Sequence, residues 1–202
     1  YFFTLLCMDI LKKNEWFFNA IANFYDATIG IWLYKIQIKA IKFTNPKENS
    51  KILDVGCGTG GLLEILNSKG KFELYGIDIS EKMLNIAQKK LGKGTHLKII
   101  QAENLNYRRK FDYIFSTESF HHFTNQEKAI QNMFNALKKK GKLVIVDLDF
   151  GKIFNYVFHM IEPGNSKMNS KRDLEKLFKQ HNLKNITQKR IGSFAIFTRG
   201  EK

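Results

Sequence analysis

The sequence is poor in cysteine and proline and has no long apolar run. It has two cysteines, Cys7 and Cys57, fifty residues apart, without a CxxC motif or a Cys/His spacing typical of zinc. We therefore expect neither a disulfide scaffold nor a metal site. The apolar stretch at residues 1–11 contains Asp9 and is too short to cross a bilayer. It also lacks a basic leader and a small-residue cleavage site, which predicts a cytoplasmic protein without stable membrane insertion.

Acidic residues are also scarce relative to basic ones. The 202 residues include 33 Lys and Arg against 19 Asp and Glu, which gives a net charge of +14. Such a charge is typical of proteins that bind nucleic acids or anionic membranes. However, lysine outnumbers arginine by 28 to 5, and the lysines are spread along the whole chain. Because a phosphate-reading surface favours clustered arginines, we interpret the charge as a solvated lysine-rich surface and expect no specific nucleic-acid partner.

Alternating strand and helix patterns organise the chain beyond residue 50. Before them, residues 9–43 carry apolar positions at helical spacing, and turn formers at 45–50 end that segment. The predicted strands are 51–55, 72–77, 97–101, 111–116, 142–147, 183–191 and 194–198. The predicted helices are 62–68, 81–91, 126–137 and 171–180.

This alternation predicts an α/β fold with a doubly wound, Rossmann-like sheet and helices on both faces. The sheet is expected to be mostly parallel, with an antiparallel C-terminal strand because a short turn at Gly192 joins the last two strands. We expect residues 1–45 to form an N-terminal helical cap segment and residues 46–202 to form a ligand-binding core. An aromatic-rich stretch near 150–168 is predicted to be a lid insertion.

The glycine-rich loop after the first predicted strand is the most informative segment. The strand at 51–55 runs directly into Gly56-Cys57-Gly58-Thr59-Gly60-Gly61, and a helix follows. Glycines let a backbone approach a ligand closely, and a helix start offers free N–H groups and a positive end. Ligands of doubly wound sheets bind at the carboxyl ends of the strands. The loop therefore predicts a nucleotide-type site.

Two acids distinguish between the ligand classes that use such a loop. A dinucleotide would bring a pyrophosphate close to Asp54, which would repel it, whereas S-adenosylmethionine offers an ammonium that Asp54 can meet directly or through water. Asp78 closes the second strand eighteen residues after Gly60 and can accept from ribose hydroxyls in either class. Because Gly56 to Gly61 also satisfies GxGxxG spacing, an NAD(P)-dependent oxidoreductase stays open as an alternative.

Several segments, in order along the chain, resemble class I S-adenosylmethionine-dependent methyltransferases. They are the loop at 52–61 and the stretches 74–84, 100–105, 111–123 and 137–147. The sequence is most similar to the small-molecule branch that includes ubiquinone and menaquinone biosynthesis methyltransferases, over residues 20–199. The resemblance implies S-adenosyl-L-methionine as cofactor, S-adenosyl-L-homocysteine as product, and methyl transfer to a small-molecule acceptor.

The same resemblance implies a role for each residue that matches a family motif. The loop residues would hold the methionine part of the cofactor, and they are Asp54, Gly56, Cys57, Gly58 and Gly60. Asp78 would bind the ribose, and Ile79 and Met83 would wall the adenine. Cys57 is expected to be a small filler in the loop rather than a nucleophile.

Further roles follow for the adenine and the ammonium. Ala102 would present its backbone N–H to the ring, with Glu103 nearby. Gln101 stands where the family usually has Asp, and its carbonyl could accept from the exocyclic amine. Ser116 and Thr117 would present backbone near the ammonium. Tyr25 matches a family position that often closes over the cofactor.

The class of methyl acceptor is limited mainly by motifs that the sequence lacks. With only Pro46 and Pro163, the chain has no Asn/Asp-Pro-Pro-aromatic motif of amino-methylating nucleic-acid enzymes and no Pro-Cys nucleophile of cytosine-C5 enzymes. A small, apolar acceptor is the expectation, with His121 as the candidate base. An RNA-directed methyltransferase and a basic binding protein are the remaining alternatives.

Overall fold

The computed structural model describes residues 9–149 and 167–202. Seven strands form one sheet in the order β3-β2-β1-β4-β5-β7-β6. The strands are β1 Lys51–Val55, β2 Glu73–Asp78, β3 His96–Ile99, β4 Phe111–Thr117, β5 Leu137–Leu148, β6 Lys184–Ile191 and β7 Ala195–Glu201. Strands β1 to β5 pair in parallel, and β7 pairs antiparallel with both β5 and β6. The predicted fold class is confirmed, including the antiparallel C-terminal strand.

Six α-helices accompany the sheet within the described residues. They are α1 Ile10–Tyr25, α2 Ile31–Thr44, α3 Gly61–Lys69, α4 Glu81–Leu91, α5 Gln126–Ala136 and α6 Lys171–Gln180. Side-chain caps fix several starts, because Ser80 accepts from the Met83 N–H before α4 and Ser170 forms a capping box with Asp173 before α6. The predicted spans 81–91 and 171–180 coincide with α4 and α6.

The N-terminal helical segment is one helical run with a π-helical turn inside it. The π turn spans Asp26–Gly30 and joins α1 to α2. The inner side of α2 is buried through Leu33, Ile36 and Ala40, which belong to the core cluster on one face of the sheet. The cap boundary predicted at residue 45 lies at the left-handed Asn45 that ends α2; the division into domains stays a prediction.

Two hydrophobic clusters lie on the two faces of the sheet. The first joins α2, α3 and α4 to β1, β4 and β5 through residues such as Ile52 and Phe115. The second joins α5 and α6 to the opposite face through Leu53, Ile114 and Phe178. Alternate residues of β1 and β4 thus point to opposite clusters, as expected for strands covered on both faces.

Strand β5 begins five residues earlier than the sequence predicts. Leu137 already pairs with Phe111, and the register shifts before Tyr113 pairs with Lys142. Lys140 adopts a φ of 64°, which the lysine-rich run 138–140 gave no reason to expect. A bulge absorbs this irregularity, and a bulged strand carries no simple alternation in its sequence.

The sequence also led to expectations about a lid, membrane-spanning helices and metal sites. The predicted lid at 150–168 lies outside the described residues except for its last two positions. None of the helices in residues 9–149 and 167–202 combines the length and apolar character that a bilayer-spanning helix requires. The same two ranges hold no group of three or more His, Cys, Asp or Glu placed to bind a metal ion.

Candidate functional site

A cavity of about 580 Å³ opens at the carboxyl ends of β1, β2, β3 and β4. The segments that follow these four strands form its floor and sides, and α1, the π turn and α2 cover it. The strand-end segments contribute Gly56–Thr59, Asp78, Ile79, Ile100–Glu103 and Thr117–Ser119. A cavity of this size matches a typical small-molecule or cofactor site.

Three loop glycines have positive φ, each for a different physical reason. Gly56 (φ 75°) lies against Ser119, since an added Cβ would stand 2.5 Å from the Ser119 Cβ. Gly58 (φ 52°) has open space around its would-be Cβ and lines the cavity. Gly60 (φ 83°) packs against Ala87 and Leu91 of α4. The structure therefore brings Gly56 and Gly58 to the cavity and uses Gly60 for packing.

Asp78 ties the glycine loop to the start of α4. One carboxylate oxygen accepts from the Gly58 N–H at 2.8 Å, and the other accepts from the Ser80 N–H at 2.9 Å. Burial raises the pKa of Asp78, and hydrogen bonds from the backbone N–H groups of Ser80, Gly58 and Ile79 oppose that rise. A carboxylate has about four acceptor positions, so a ligand hydroxyl can still bond to it from the cavity.

Asp54 lies beneath the loop and is not among the residues that line the cavity. Its side chain is 2% exposed, and its Oδ1 atom is buried without a hydrogen-bond partner in the described part of the chain. Burial raises the pKa of Asp54 from 3.8 to about 8, and the negative charge of Asp78 adds to the rise. The contact of Asp54 with a ligand ammonium stays a prediction, and at this depth it would pass through water.

Replacing Asp54 by Asn should make the empty protein more stable at pH 8 than the parent. The folded-state pKa is above the unfolded one, so folding takes up a proton between about pH 4 and 8, and stability falls as pH rises through that window. Asp54→Asn removes this contribution and leaves that of Asp78. Melting temperatures at pH 5 and pH 8 test this; an equal decline in both proteins contradicts the assignment.

The sides of the cavity near β2 and β3 hold the residues that the sequence assigned to the adenine. Ile79, Met83, Gln101, Ala102 and Glu103 all line it. Glu103 is 5% exposed, and its Oε1 accepts from the Thr124 hydroxyl and the Asn125 N–H. Glu103 therefore holds the start of α5 in place, and contacts of these five residues with a ligand stay predictions.

Four other predicted site residues are divided between the cavity and its surroundings. Tyr25, Cys57 and Thr117 line it, whereas Ser116 lies behind it and contacts the Ser119 hydroxyl at 2.8 Å. Burial, followed by the charges of Asp78 and Asp54, raises the pKa of the Cys57 thiol. A thiol held neutral is a poor nucleophile, in keeping with a filler role.

His121, the predicted base, is not among the cavity-lining residues. Its Nδ1 contacts the Asp147 carboxylate at the end of β5, and the two side chains are 2% and 1% exposed. The neighbouring His122 does line the cavity, where its ring makes an edge contact with Phe18. The catalytic role of His121 stays a prediction, and the geometry favours a positioning role for it.

Apart from Tyr25, local sequence patterns contain no signal for the residues by which the N-terminal segment covers the cavity. Asp26 in the π turn accepts from the Thr59 hydroxyl at 2.6 Å and pairs with Lys90 of α4 at 2.7 Å. Asn14 donates to the His122 carbonyl at 3.0 Å. All three contacts join residues more than 30 positions apart, so only the fold reveals them.

Comparisons with known proteins agree with this geometry. A family model described as a methyltransferase domain matches residues 46–194. Demethylmenaquinone methyltransferase of Thermotoga maritima is 34% identical over 140 residues, 65% of this chain and 59% of that protein. The ubiquinone/menaquinone biosynthesis C-methyltransferase UbiE of Wigglesworthia glossinidia brevipalpis is 36% identical over 160 residues, 70% of this chain and 62% of that protein.

The solved structures extend the comparison to the fold. Haemonchus contortus phosphoethanolamine N-methyltransferase 2, solved in complex with S-adenosyl-L-methionine, superposes with a TM-score of 0.71 at 16% identity. The superposition covers 90% of this chain and 60% of that one. The chain spans 59% and 62% of the two bacterial relatives. Since the family model matches well over half of its residues, the chain belongs to the methyltransferase-domain family.

Proposed function

We propose that the protein transfers a methyl group from S-adenosyl-L-methionine to a small-molecule acceptor. The main observation behind this proposal is that Asp78, at the end of β2, lines the same cavity as Gly58 and accepts a hydrogen bond from its N–H. Family membership and the relatives named above support the same reaction. The buried Asp54 adds a second acid near the loop; a cationic group bound nearby would favour its ionised form and oppose the rise in its pKa, whereas a pyrophosphate would not.

The cofactor fits the residues present. Asp78 keeps acceptor positions for ribose hydroxyls, and Ile79 and Met83 offer an apolar wall for a base. When bound, S-adenosylmethionine supplies an electrophilic methyl group on a sulfonium. The protein's main task is to hold the acceptor in line with that group and to exclude water, and such positioning is worth about 7–11 kcal/mol in well-oriented reactions.

Large apolar side chains contribute to the lining of the cavity. Phe18, Ile31 and Leu33 line it from the helical segment, and Phe123 lines it from the turn after β4. Polar groups nearby include His122 and Glu118. We infer a small acceptor with an apolar body, since side chains of this kind bury apolar surface.

Thermal-shift measurements test the cofactor assignment. S-adenosylhomocysteine at 100 times its Kd should stabilise the protein by about 2.7 kcal/mol, which is a rise of roughly 5–10 °C for a chain of this size. NADH and an RNA pool serve as controls for the two alternatives. Stabilisation by NADH with none by S-adenosylhomocysteine would overturn the proposal.

Removing the His121 side chain should lower the stability of the fold more than it lowers the affinity for the cofactor. His121→Ala leaves the Asp147 carboxylate buried without this partner, and breaking a buried pair costs about 3–5 kcal/mol. The double variant His121→Ala/Asp147→Ala should lose clearly less than the sum of the single variants. Urea unfolding measures this coupling; additive losses, or a loss of turnover at unchanged stability, would instead favour a direct catalytic role.

A further inference from the structure

The outer side of the N-terminal helices carries most of the large exposed apolar side chains of the described residues. These are Trp16 (46% exposed), Phe24 (71%), Ile31 (63%), Trp32 (42%) and Tyr34 (53%). Soluble proteins rarely expose so many large apolar side chains together, and such patches mark interaction surfaces. The inner side of the same helices is buried in the core through Ala22, Leu33 and Ile36, so packing among residues 9–149 and 167–202 does not account for the exposed set.

Lysines lie beside these apolar side chains. Lys12 on α1 and Lys35, Lys39 and Lys42 along α2 are all exposed. Residues 9–44 contain five lysines and three acids, and one of those acids, Asp26, is paired with Lys90. Tryptophan, phenylalanine and tyrosine next to lysines on one helical surface are typical of helices that lie in the headgroup region of a bilayer.

The patch is continuous with the mouth of the cavity. Ile31, Tyr34 and Lys35 line the cavity and are also exposed on the outer surface. A molecule that leaves a surface docked on the patch therefore meets the cavity without crossing bulk water. This link matters for catalysis only if the proposed methyl transfer is correct, whereas the docking itself does not depend on it.

We propose that the patch formed by Trp16, Phe24, Ile31, Trp32 and Tyr34 with Lys12, Lys35, Lys39 and Lys42 docks the protein on anionic phospholipid membranes. Charge complementarity favours this occupant. The protein carries a net charge of +14, so it is attracted to an anionic bilayer, where each lysine near the surface contributes about a fivefold gain in binding. A second copy of the chain would instead bring the two lysine rows together.

The tryptophans give a direct measurement, because both tryptophans of the chain lie in the patch. We expect their emission to shift to shorter wavelength when the protein binds vesicles of phosphatidylcholine with 30% phosphatidylglycerol. Brominated lipid in the same vesicles should quench it. Pure phosphatidylcholine should bind much more weakly, and salt should weaken binding to the anionic vesicles.

Two variants of equal net charge distinguish the contribution of the patch to membrane binding from that of the overall charge. Lys35→Glu/Lys39→Glu/Lys42→Glu should bind anionic vesicles at least about 100-fold more weakly. The control Lys89→Glu/Lys128→Glu/Lys184→Glu has the same net charge, changes exposed lysines elsewhere, and should retain most of the binding. Ile31→Ser against Ile99→Ser, two residues of 63% and 59% exposure, makes the same comparison for apolar contact.

Several outcomes would overturn the proposal. One is unchanged tryptophan emission at saturating anionic lipid; another is an equal loss in both triple variants. A blue-shifted emission in lipid-free protein that follows protein concentration would assign the patch to a second copy. A thermal shift with S-adenosylhomocysteine on the same samples reports the proposed cofactor site separately, so failure of either proposal is distinguishable.

Discussion

Asp78→Ala should weaken S-adenosylhomocysteine binding by about 10- to 100-fold while the protein stays folded. The carboxylate fixes two backbone N–H groups of the site, those of Gly58 and Ser80, and faces the cavity. Hydrogen bonds to charged groups contribute about 1.5–3 kcal/mol each, and the variant removes both the acceptor for a ribose and the tie that shapes the loop. Isothermal titration calorimetry measures the change.

Asp112→Ala is the matched control for this prediction. Asp112 also accepts from a backbone N–H, that of Lys51 at 2.8 Å, and it pairs with Lys138. It lies at the opposite end of β1 from the cavity, so its loss should lower stability without changing the affinity. Asp78→Asn, which keeps one carbonyl acceptor but no charge, should fall between the parent and Asp78→Ala. Unchanged affinity in folded Asp78→Ala would refute the site assignment.

Local sequence patterns were sufficient for the sheet and for the strand-end residues of the cavity. Strand β1 and helices α4 and α6 begin and end where periodicity, caps and glycines place them. The glycine loop and Asp78 meet at one cavity because parallel strands bring their carboxyl ends to one edge of a sheet. Eleven of the fourteen predicted cofactor residues line the cavity, although their contacts with a ligand stay predictions.

The remaining features depend on contacts between distant segments. Gly60 and Ser116 stand at positions of the sequence motif but do not line the cavity. Residues of α4 pack against Gly60, and the Ser119 hydroxyl contacts that of Ser116. His121 follows β4 at the expected place, but the partner that draws it inward, Asp147, is 26 residues away. The cavity is covered by the N-terminal helical segment. Its amphipathic pattern predicts that one side is buried, but it does not predict which part of the protein that side contacts.

The glycines of the loop allow strain, packing and ligand access to be measured separately. Gly58→Ala and Gly92→Ala should both lose stability, by about 1–3 kcal/mol, because both sites have positive φ although both leave open space around the added methyl. The loss should be larger for Gly92, whose φ of 69° and ψ of −167° form a combination essentially restricted to glycine. Of the two glycines, Gly58 alone lines the cavity at the strand ends, so only Gly58→Ala should also lose S-adenosylhomocysteine affinity, by about tenfold or more, since its backbone can no longer approach a ligand closely. Equal affinities in the two variants would mean that the loop does not contact the cofactor.

Gly56→Ala should be the most destabilising of these changes, at about 3 kcal/mol or more. It adds to the strain of a φ of 75° a contact of 2.5 Å between the new methyl and the Ser119 Cβ. That Cβ cannot turn away like the end of a flexible side chain, and the Ser119 hydroxyl donates a hydrogen bond to the Val55 carbonyl at 3.0 Å.

The double variant Gly56→Ala/Ser119→Gly removes the clash and keeps the strain at residue 56. Its stability should therefore exceed that of Gly56→Ala once the cost of Ser119→Gly alone is subtracted, as a double-mutant cycle of urea unfolding measures. A cycle without coupling would show that steric contact with the turn after β4 is not the reason for glycine at this position.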